Sequence, residues 1–218
     1  DYAAVAIENS YLLKESIEKE RLEKELDVAR EMQKKILPEK LPVLPGYEVA
    51  AVFIPAFEVG GDYYDFFTLP NGMTGFVIAD VSGKGISAAF VMAELKGILE
   101  SFSTVKYTPK EILVEANSVL QKVLDRRVFI TAVFGIMDPE TGEVTIARAG
   151  HCPVLHKSDG KIIERVPQGF GLGMNFTGLF GEKLLEEKFV LAEGERLILF
   201  TDGVNEMKNE IMKDYGTE

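Results

Sequence analysis

The sequence predicts an α+β layered fold, most simply a β-sandwich flanked by helices and preceded by one long helix. Three observations predict it. Short apolar runs bounded by turn residues recur between residues 47 and 201, two helical stretches lie between the third and fourth runs, and residues 1–37 carry a helical stripe without glycine or proline. With 218 residues, 46% of them hydrophobic, the chain can build one full-sized core plus an accessory element.

In the long helix, Leu22, Leu26, Ala29, Met32 and Ile36 fall on one face. Glu15–Lys19, Glu20–Lys24 and Glu31–Lys35 stand at the favourable i, i+4 spacing. Such a stripe needs a partner helix. A parallel coiled-coil homodimer through residues 1–37 meets the need, and so does folding back onto the chain's own domain. Pro38 ends the helix, and with Pro42, Pro45 and Gly46 it forms a linker that excludes helix. The chain therefore divides into a helical linker, 1–37, and a globular domain, 38–218.

Strands are expected at 47–54, 63–69, 75–81, 129–138, 143–149, 154–157, 161–165, 188–191 and 196–201. Pro139-Glu140-Thr141-Gly142 and Ser158-Asp159-Gly160 are hairpin turns, because glycine takes positive φ without a steric penalty. The first inserted helix, 86–102, is apolar nearly all round and is expected to be buried. The second opens with Thr108-Pro109-Lys110-Glu111, a capping box with proline at the first helical position, and packs Ile112, Leu113, Ala116, Val119, Leu120 and Val123 inward. Residues 168–181 carry five glycines and are expected to form a mobile loop. There is no internal repeat.

Composition removes several functional classes. No apolar run approaches the ~20 residues of a membrane span, and nothing at the start resembles a signal peptide. A first residue of Asp1 suggests a piece of a longer protein. A net charge of −11 argues against a nucleic-acid partner. Cys152 stands alone, so there is no disulfide framework and no cysteine metal cluster, and a reducing cytoplasm fits best.

The chemistry lies in three acidic stretches, Val59-Gly60-Gly61-Asp62-Tyr63-Tyr64-Asp65, Ala79-Asp80-Val81-Ser82-Gly83-Lys84-Gly85 and Phe200-Thr201-Asp202-Gly203-Val204. Each joins a strand-like run to an aspartate beside or near glycine. One Asp-Gly is usually a turn, but three in this order, each on a hydrophobic strand, suit a hard divalent cation. Gly83-Lys84-Gly85-Ile86-Ser87 is not a phosphate loop, because Lys84 is followed by Gly85 and the position where the first glycine belongs is Ile78. Gly169, Gly171 and Gly173 miss the dinucleotide fingerprint. His151 and His156 flank a short strand at odd spacing, which speaks against a zinc site or a Ser–His pair and leaves His151 as a structural residue first and a residue facing the site second. Cys152 has no partner that would mark it as a nucleophile. Carboxylates without histidine or thiolate indicate Mg²⁺ or Mn²⁺. Two such ions can activate a bridging water for in-line attack on a phosphate ester.

These stretches, together with Glu58 ahead of the first, Ala88-Ala89 after the second, Ala149-Gly150-His151 and Gly171-Leu172-Gly173, resemble the SpoIIE/RsbU branch of the metal-dependent (PPM) serine/threonine protein phosphatases. The matches run in the family's order from about residue 30 to the end. The resemblance implies an α-β-β-α sandwich of two mostly antiparallel sheets flanked by helices, with a centre for two Mn²⁺ or Mg²⁺ ions. It implies as substrate a phosphoserine or phosphothreonine protein, a phosphorylated anti-anti-sigma factor of the STAS type. Carried over by motif, Asp80 bridges the metals, the Val81 carbonyl holds one, Asp202 ligates the other, and Asp62 acts directly or through a bound water. Asp62, Asp80 and Asp202 are thus the implied catalytic residues. Gly60 and Gly61 would let the backbone pass close to the site, and Gly83 and Gly85 would shape the loop into the following helix. Asp65 is as much a turn or capping residue as a site residue.

Two departures stand out. The family's closing Asp-Asp motif is absent before Glu218, so the domain is expected to be truncated ahead of it, and Asp214 does not replace it. Arg148 stands where the family has a small polar residue. In this branch a sensory domain is joined to the phosphatase by such a helical linker, and Ala3-Ala4-Val5-Ala6-Ile7-Glu8-Asn9 resembles the closing helix of a GAF domain. A sensor that changes the packing of residues 1–37 would bias the helix after Gly85. The rival readings are a non-catalytic partner-binding module of the same fold and a coiled-coil scaffold.

Overall fold

Helix α1 covers Tyr2–Ile36 without a break, as its uninterrupted composition requires. The computed structural model describes residues 2–55, 59–103, 108–174, 178–207, 209 and 216, excepting the side chains of residues 4, 6, 71 and 103. Glu58 and Asp214 therefore lie outside the described residues. Along α1, Lys24 pairs with Glu20 at 2.9 Å as its spacing predicts, whereas Lys19 turns forward to Glu23 at 3.9 Å instead of back to Glu15. At the C-terminal end Gln33 and Leu37 are buried and Ile36 packs against the domain core. The face that meets the domain thus runs through Gln33, while Met32 stays 57% exposed.

Two antiparallel sheets follow. The larger has the order β1-β2-β3-β4-β7, formed by Tyr63–Thr68, Thr74–Val81, Ile130–Met137, Glu143–Ala149 and Glu186–Val190. The smaller has the order β6-β5-β8, formed by Lys161–Arg165, Val154–Ser158 and Arg196–Ile198. Helices α2, Ile86–Ser103, and α3, Pro109–Val123, are inserted between β2 and β3. A one-turn helix α4, Phe180–Lys183, precedes β7. The α+β class and the paired antiparallel sheets agree with the sequence.

Alternation along the strands divides the apolar residues between two cores. Val77, Ala79, Val81, Ala132 and Phe134 face α2 and α3, where they meet Met92, Leu95, Leu99, Ile112, Leu113 and Leu120. Phe76, Ile78, Val133, Val144 and Ile146 face the other way and pack with Val154 and Leu197 of the smaller sheet and with Leu199 just after it. The cap of α3 is the predicted one: the Thr108 hydroxyl accepts from the Glu111 N–H at 3.3 Å and the Glu111 carboxylate accepts from the Thr108 N–H at 2.8 Å. The 158–160 turn places both Asp159 and Gly160 at positive φ, the geometry that matches the twist of the flanking strands.

Four expectations need correction. Residues 47–54 form no strand beyond an isolated bridge between Leu44 and Tyr47. No described strand lies alongside to take their backbone groups, and Val52 and Ile54 are more than 80% exposed. Helix α2 buries only one side, through Ala88, Met92, Leu95 and Leu99, and leaves Phe90 in solvent. In α3, Val123 is likewise exposed. The described part of the expected mobile loop is anchored around Leu172, which is fully buried and exchanges two backbone hydrogen bonds with Ile130, while the Gly173 N–H donates to the Asn117 carboxamide of α3; residues 175–177 lie outside the described residues.

Candidate metal centre

Strand register places the first two aspartates side by side. Tyr63 pairs with Ala79, so Asp62, one residue earlier, faces Asp80, one residue later, and Asp80 in turn pairs with Thr131 of β3. Since Ile78 and Val133 point between the sheets, Asp80 and Thr131 point there too, and period 2 carries Asp62 to the same face. Cross-strand neighbours in such a row have Cβ atoms about 4.5–5.5 Å apart. The row lies at one end of the sandwich, where β2 opens into the loop to α2.

The two carboxylates lie within hydrogen-bonding reach of each other. Burial raises the pKa of Asp80 to about 7, helped by the charges of Asp62, Asp202 and Glu206. Asp62 is also raised, again chiefly by burial, although hydrogen bonds from Thr201 and Asp80 oppose the shift. The Thr201 hydroxyl donates to Asp62 Oδ2 at 3.2 Å. Asp202 arrives from the smaller sheet, on the 3-10 turn Asp202–Val204 after β8, and is exposed. It acts on Asp80, Asp62, His151 and Cys152 through its charge. Among the described residues no three His, Cys, Asp or Glu side chains form a ready ligand cluster. The structure thus joins Asp62 to Asp80 and leaves Asp202 at electrostatic range.

Backbone geometry around the row follows from the glycines. A Cβ on Gly61 would stand 2.7 Å from the Val81 carbonyl oxygen, so only glycine lets that segment pass β2. Gly83 and Gly85 have φ of 106° and 74°, turning the chain sharply from Asp80 into α2. A Cβ on Gly60 would meet only the Asp62 nitrogen, at 4.0 Å, and its backbone is held instead by Gln33: Nε2 donates to the Gly60 carbonyl at 2.6 Å and Oε1 accepts from its N–H at 3.1 Å.

Asp65 is separate from this row. It is buried, accepts from the Tyr63 hydroxyl at 2.8 Å and the Phe66 N–H at 2.8 Å, and pairs with Lys96 of α2 at 2.5 Å. It therefore fastens α2 to β1. Arg148 donates to the carbonyls of His151 at 2.6 Å and Pro167 at 3.2 Å, which gives this residue a structural place at the end of β4. His151 lies beside Thr131, with Nδ1 2.8 Å from its hydroxyl, and burial lowers its pKa to about 4. His156 is remote from the row, held between Glu195 and Arg165.

An oxygen-only donor set with two carboxylates pressed together suits a hard divalent cation, whose charge offsets both the burial and the neighbouring charges that raise Asp80. Residues that bear on the centre and were not singled out from sequence are Gln33, Thr131, Thr201 and Glu206. Only Thr201 carried a signal, by standing next to Asp202.

Comparison with known proteins bears on the family and the fold. The profile of the Stage II sporulation protein E (SpoIIE) family matches residues 70–218. The chain is 29% identical over 193 residues to "Phosphoserine phosphatase RsbU" of Bacillus subtilis, covering 88% of this chain and 56% of that protein. It thus spans about half the length of that curated relative. The crystal structure of the RsbU and RsbW domains of a Mycobacterium tuberculosis protein is 27% identical, with a TM-score of 0.60 over 73% of this chain and 43% of that one. The SiaA-PP2C domain of Pseudomonas aeruginosa shares the fold at 18% identity, with a TM-score of 0.73 over 91% of this chain and 79% of that one. No helix among the described residues is long and apolar enough to cross a membrane.

Proposed function

The chain belongs to the SpoIIE family, and from that premise we propose that it hydrolyses phosphoserine or phosphothreonine on a signalling protein with Mn²⁺ or Mg²⁺. The observation that carries the reading is the row of Asp62 and Asp80 on adjacent strands, with Asp202 brought towards it from the opposite sheet. Asp62 and Asp80 are the residues to hold the ions, with the Val81 carbonyl and Asp202 completing the set. When bound, divalent cations supply Lewis acidity at the phosphate ester and a nucleophilic water.

The chain's own residues do the rest. To hold a cation Asp80 would release to solvent the proton that burial, helped by the neighbouring charges, favours, and Asp62 is oriented by the Thr201 hydroxyl. Gly61 brings the backbone of the first motif against Val81 and so sets where Asp62 enters the row. The named activity of the RsbU relative supports a phosphoserine substrate, and we propose that it is carried on a phosphorylated STAS-domain protein.

Regulation is proposed to act through α1. Its exposed apolar residues, among them Leu12, Leu13, Ile17 and Leu22, suit a homodimer through residues 1–37. Gln33 gives such a dimer a direct hold on the loop carrying Asp62. An upstream sensor that shifts α1 would then shift Gly60 with it.

The lack of a ready three-residue ligand cluster among the described residues favours one second reading, a partner-binding module that docks a signalling protein without catalysis. Full-length protein with Mn²⁺ and a phosphorylated STAS-domain protein separates the two. Phosphate release that Asp80→Asn abolishes supports the enzyme. No release, with Asp80→Asn indistinguishable from wild type, leaves the docking module.

A further inference from the structure

We propose that His151 is a positioning residue that ties the turn bearing Asp202 to the strand pair bearing Asp80. The inference rests on the metal-centre reading above and adds a residue outside its ligand set.

His151 follows β4 at the same end of the sandwich as the aspartate row. Its side chain is 5% exposed, too buried to be a surface residue. One ring nitrogen is accounted for: Nδ1 lies 2.8 Å from the hydroxyl of Thr131, the residue paired with Asp80 across β2 and β3. The main chain of His151 is pinned as well, because Arg148 donates to its carbonyl at 2.6 Å. The other ring nitrogen, Nε2, is completely buried and has no hydrogen-bond partner among the described residues. Buried polar atoms without partners are rare and costly, which points to a purpose for this one.

The neighbouring groups identify that purpose. The Phe200 backbone sits where, as an acceptor, it favours a proton on the ring, and the Asp202 charge acts in the same sense. A bare Nε2 lone pair facing an acceptor would be repelled, whereas an Nε2–H is attracted. The arrangement therefore selects the Nε2–H tautomer, with the Thr131 hydroxyl donating to Nδ1. The neutral ring then bridges the two sheets: Thr131 at one end is in register with Asp80, and Phe200 at the other stands two residues before Asp202. The carboxylates come from different sheets, and among the described residues no hydrogen bond joins Asp202 directly to the row. An Nε2–H contact to Phe200 would add a second hold on this turn beside the Thr201–Asp62 hydrogen bond.

Two substitutions on the whole chain separate the ends of this bridge. The Gln side chain of His151→Gln can place an amide N–H near the Nε2 position, whereas the shorter Asn of His151→Asn reaches only the Nδ1 position. Binding of Mn²⁺, followed by the electron paramagnetic resonance signal of the free ion, is expected to weaken about 10-fold in His151→Asn, the lower end of the usual range for residues that orient a ligand. His151→Gln is expected to retain affinity within about 3-fold by the same reasoning. Equal affinity in wild type and His151→Asn, or equal loss in both variants, overturns the proposal. If either variant fails to fold, ¹⁵N correlation spectra of the wild-type ring decide: an Nε2–H protected from exchange is expected, and a ring protonated at Nδ1 alone overturns the bridge. Wild-type protein that binds no Mn²⁺ overturns the metal reading instead, and the ring spectrum still tests the contact to Phe200.

Discussion

Gln33 grips Gly60 through both of its backbone groups, so the last turn of a 35-residue helix is fastened to the residue two places before Asp62. The Gln33 amide also lies 3.5 Å from Met92 Sδ of α2, the helix that starts five residues after Val81. One buried side chain thus touches the two segments that lead into the aspartate row. Removing it leaves a part-buried N–H and C=O on Gly60 to find other partners. Gln33→Ala is expected to cost about 1–3 kcal/mol in urea unfolding, the range for hydrogen-bonding groups left unsatisfied. Gln33→Glu is expected to cost more, because a carboxylate would face the Gly60 carbonyl. A Glu variant as stable as wild type contradicts the clamp.

Asp65 and Lys96 offer a contrast. The pair fastens β1 to α2 and is separate from the aspartate row, so its loss should affect stability before metal binding. Removing one partner of a fully buried pair costs about 3–5 kcal/mol, and the partial exposure of Lys96 brings the expectation for Asp65→Asn to about 2–3 kcal/mol. Mn²⁺ affinity measured well below the melting temperature should stay within about 3-fold of wild type, less than the loss usual when a ligand's partner is removed. A tenfold loss of affinity would instead place Asp65 in the centre.

Much of this arrangement is legible from local patterns. The run into Asp80, the glycine turn after it and the capping box of α3 are each written within a few residues, and each forms as expected. Relationships between distant segments are not written that way. Asp62 faces Asp80 because of strand register, which two separate apolar alternations do not specify. Gln33 is one polar residue among many on α1. Its burial is legible only if the stripe is traced Leu22, Leu26, Ala29, Gln33, Ile36, a heptad seam with a polar residue inside it. Residues 47–54 have strand composition, yet a strand exists only where a neighbour takes its hydrogen bonds.

Asp80 gives the metal-free chain a pH signature. Its folded pKa of about 7 lies above the ordinary 3.8, so between those values the folded chain keeps a proton that the unfolded chain releases. The stabilisation from that proton is fully present below about pH 4 and is lost as pH rises through about 7. The melting temperature of metal-free protein is therefore expected to fall between about pH 4 and 7 more steeply in wild type than in Asp80→Asn. Added Mn²⁺ should reverse the fall, since the cation replaces the proton. Identical slopes in wild type and Asp80→Asn would show that Asp80 ionises normally.

The exposed face of α1 carries the last prediction. Tyr11, Leu12, Leu13, Ile17 and Leu22 are each more than half exposed, and within the chain α1 is held mainly by its final turns against α2. Ion pairs such as Lys24–Glu20 and Arg21–Glu25 contribute only about 0.3–0.5 kcal/mol each on a helix surface. Those pairs do not offset the cost of leaving the apolar residues in water, but a second copy would cover them. Sedimentation of the chain at micromolar concentration is expected to report a dimer, and Leu12→Glu with Ile17→Glu to report a monomer. Because these two residues lie outside both cores, the double variant should unfold at the same urea concentration as wild type once the dimer's own contribution is removed by dilution. A wild-type chain that remains monomeric at high concentration would mean that α1 does not self-associate, and control of Gly60 through Gln33 would then have to come from a different partner.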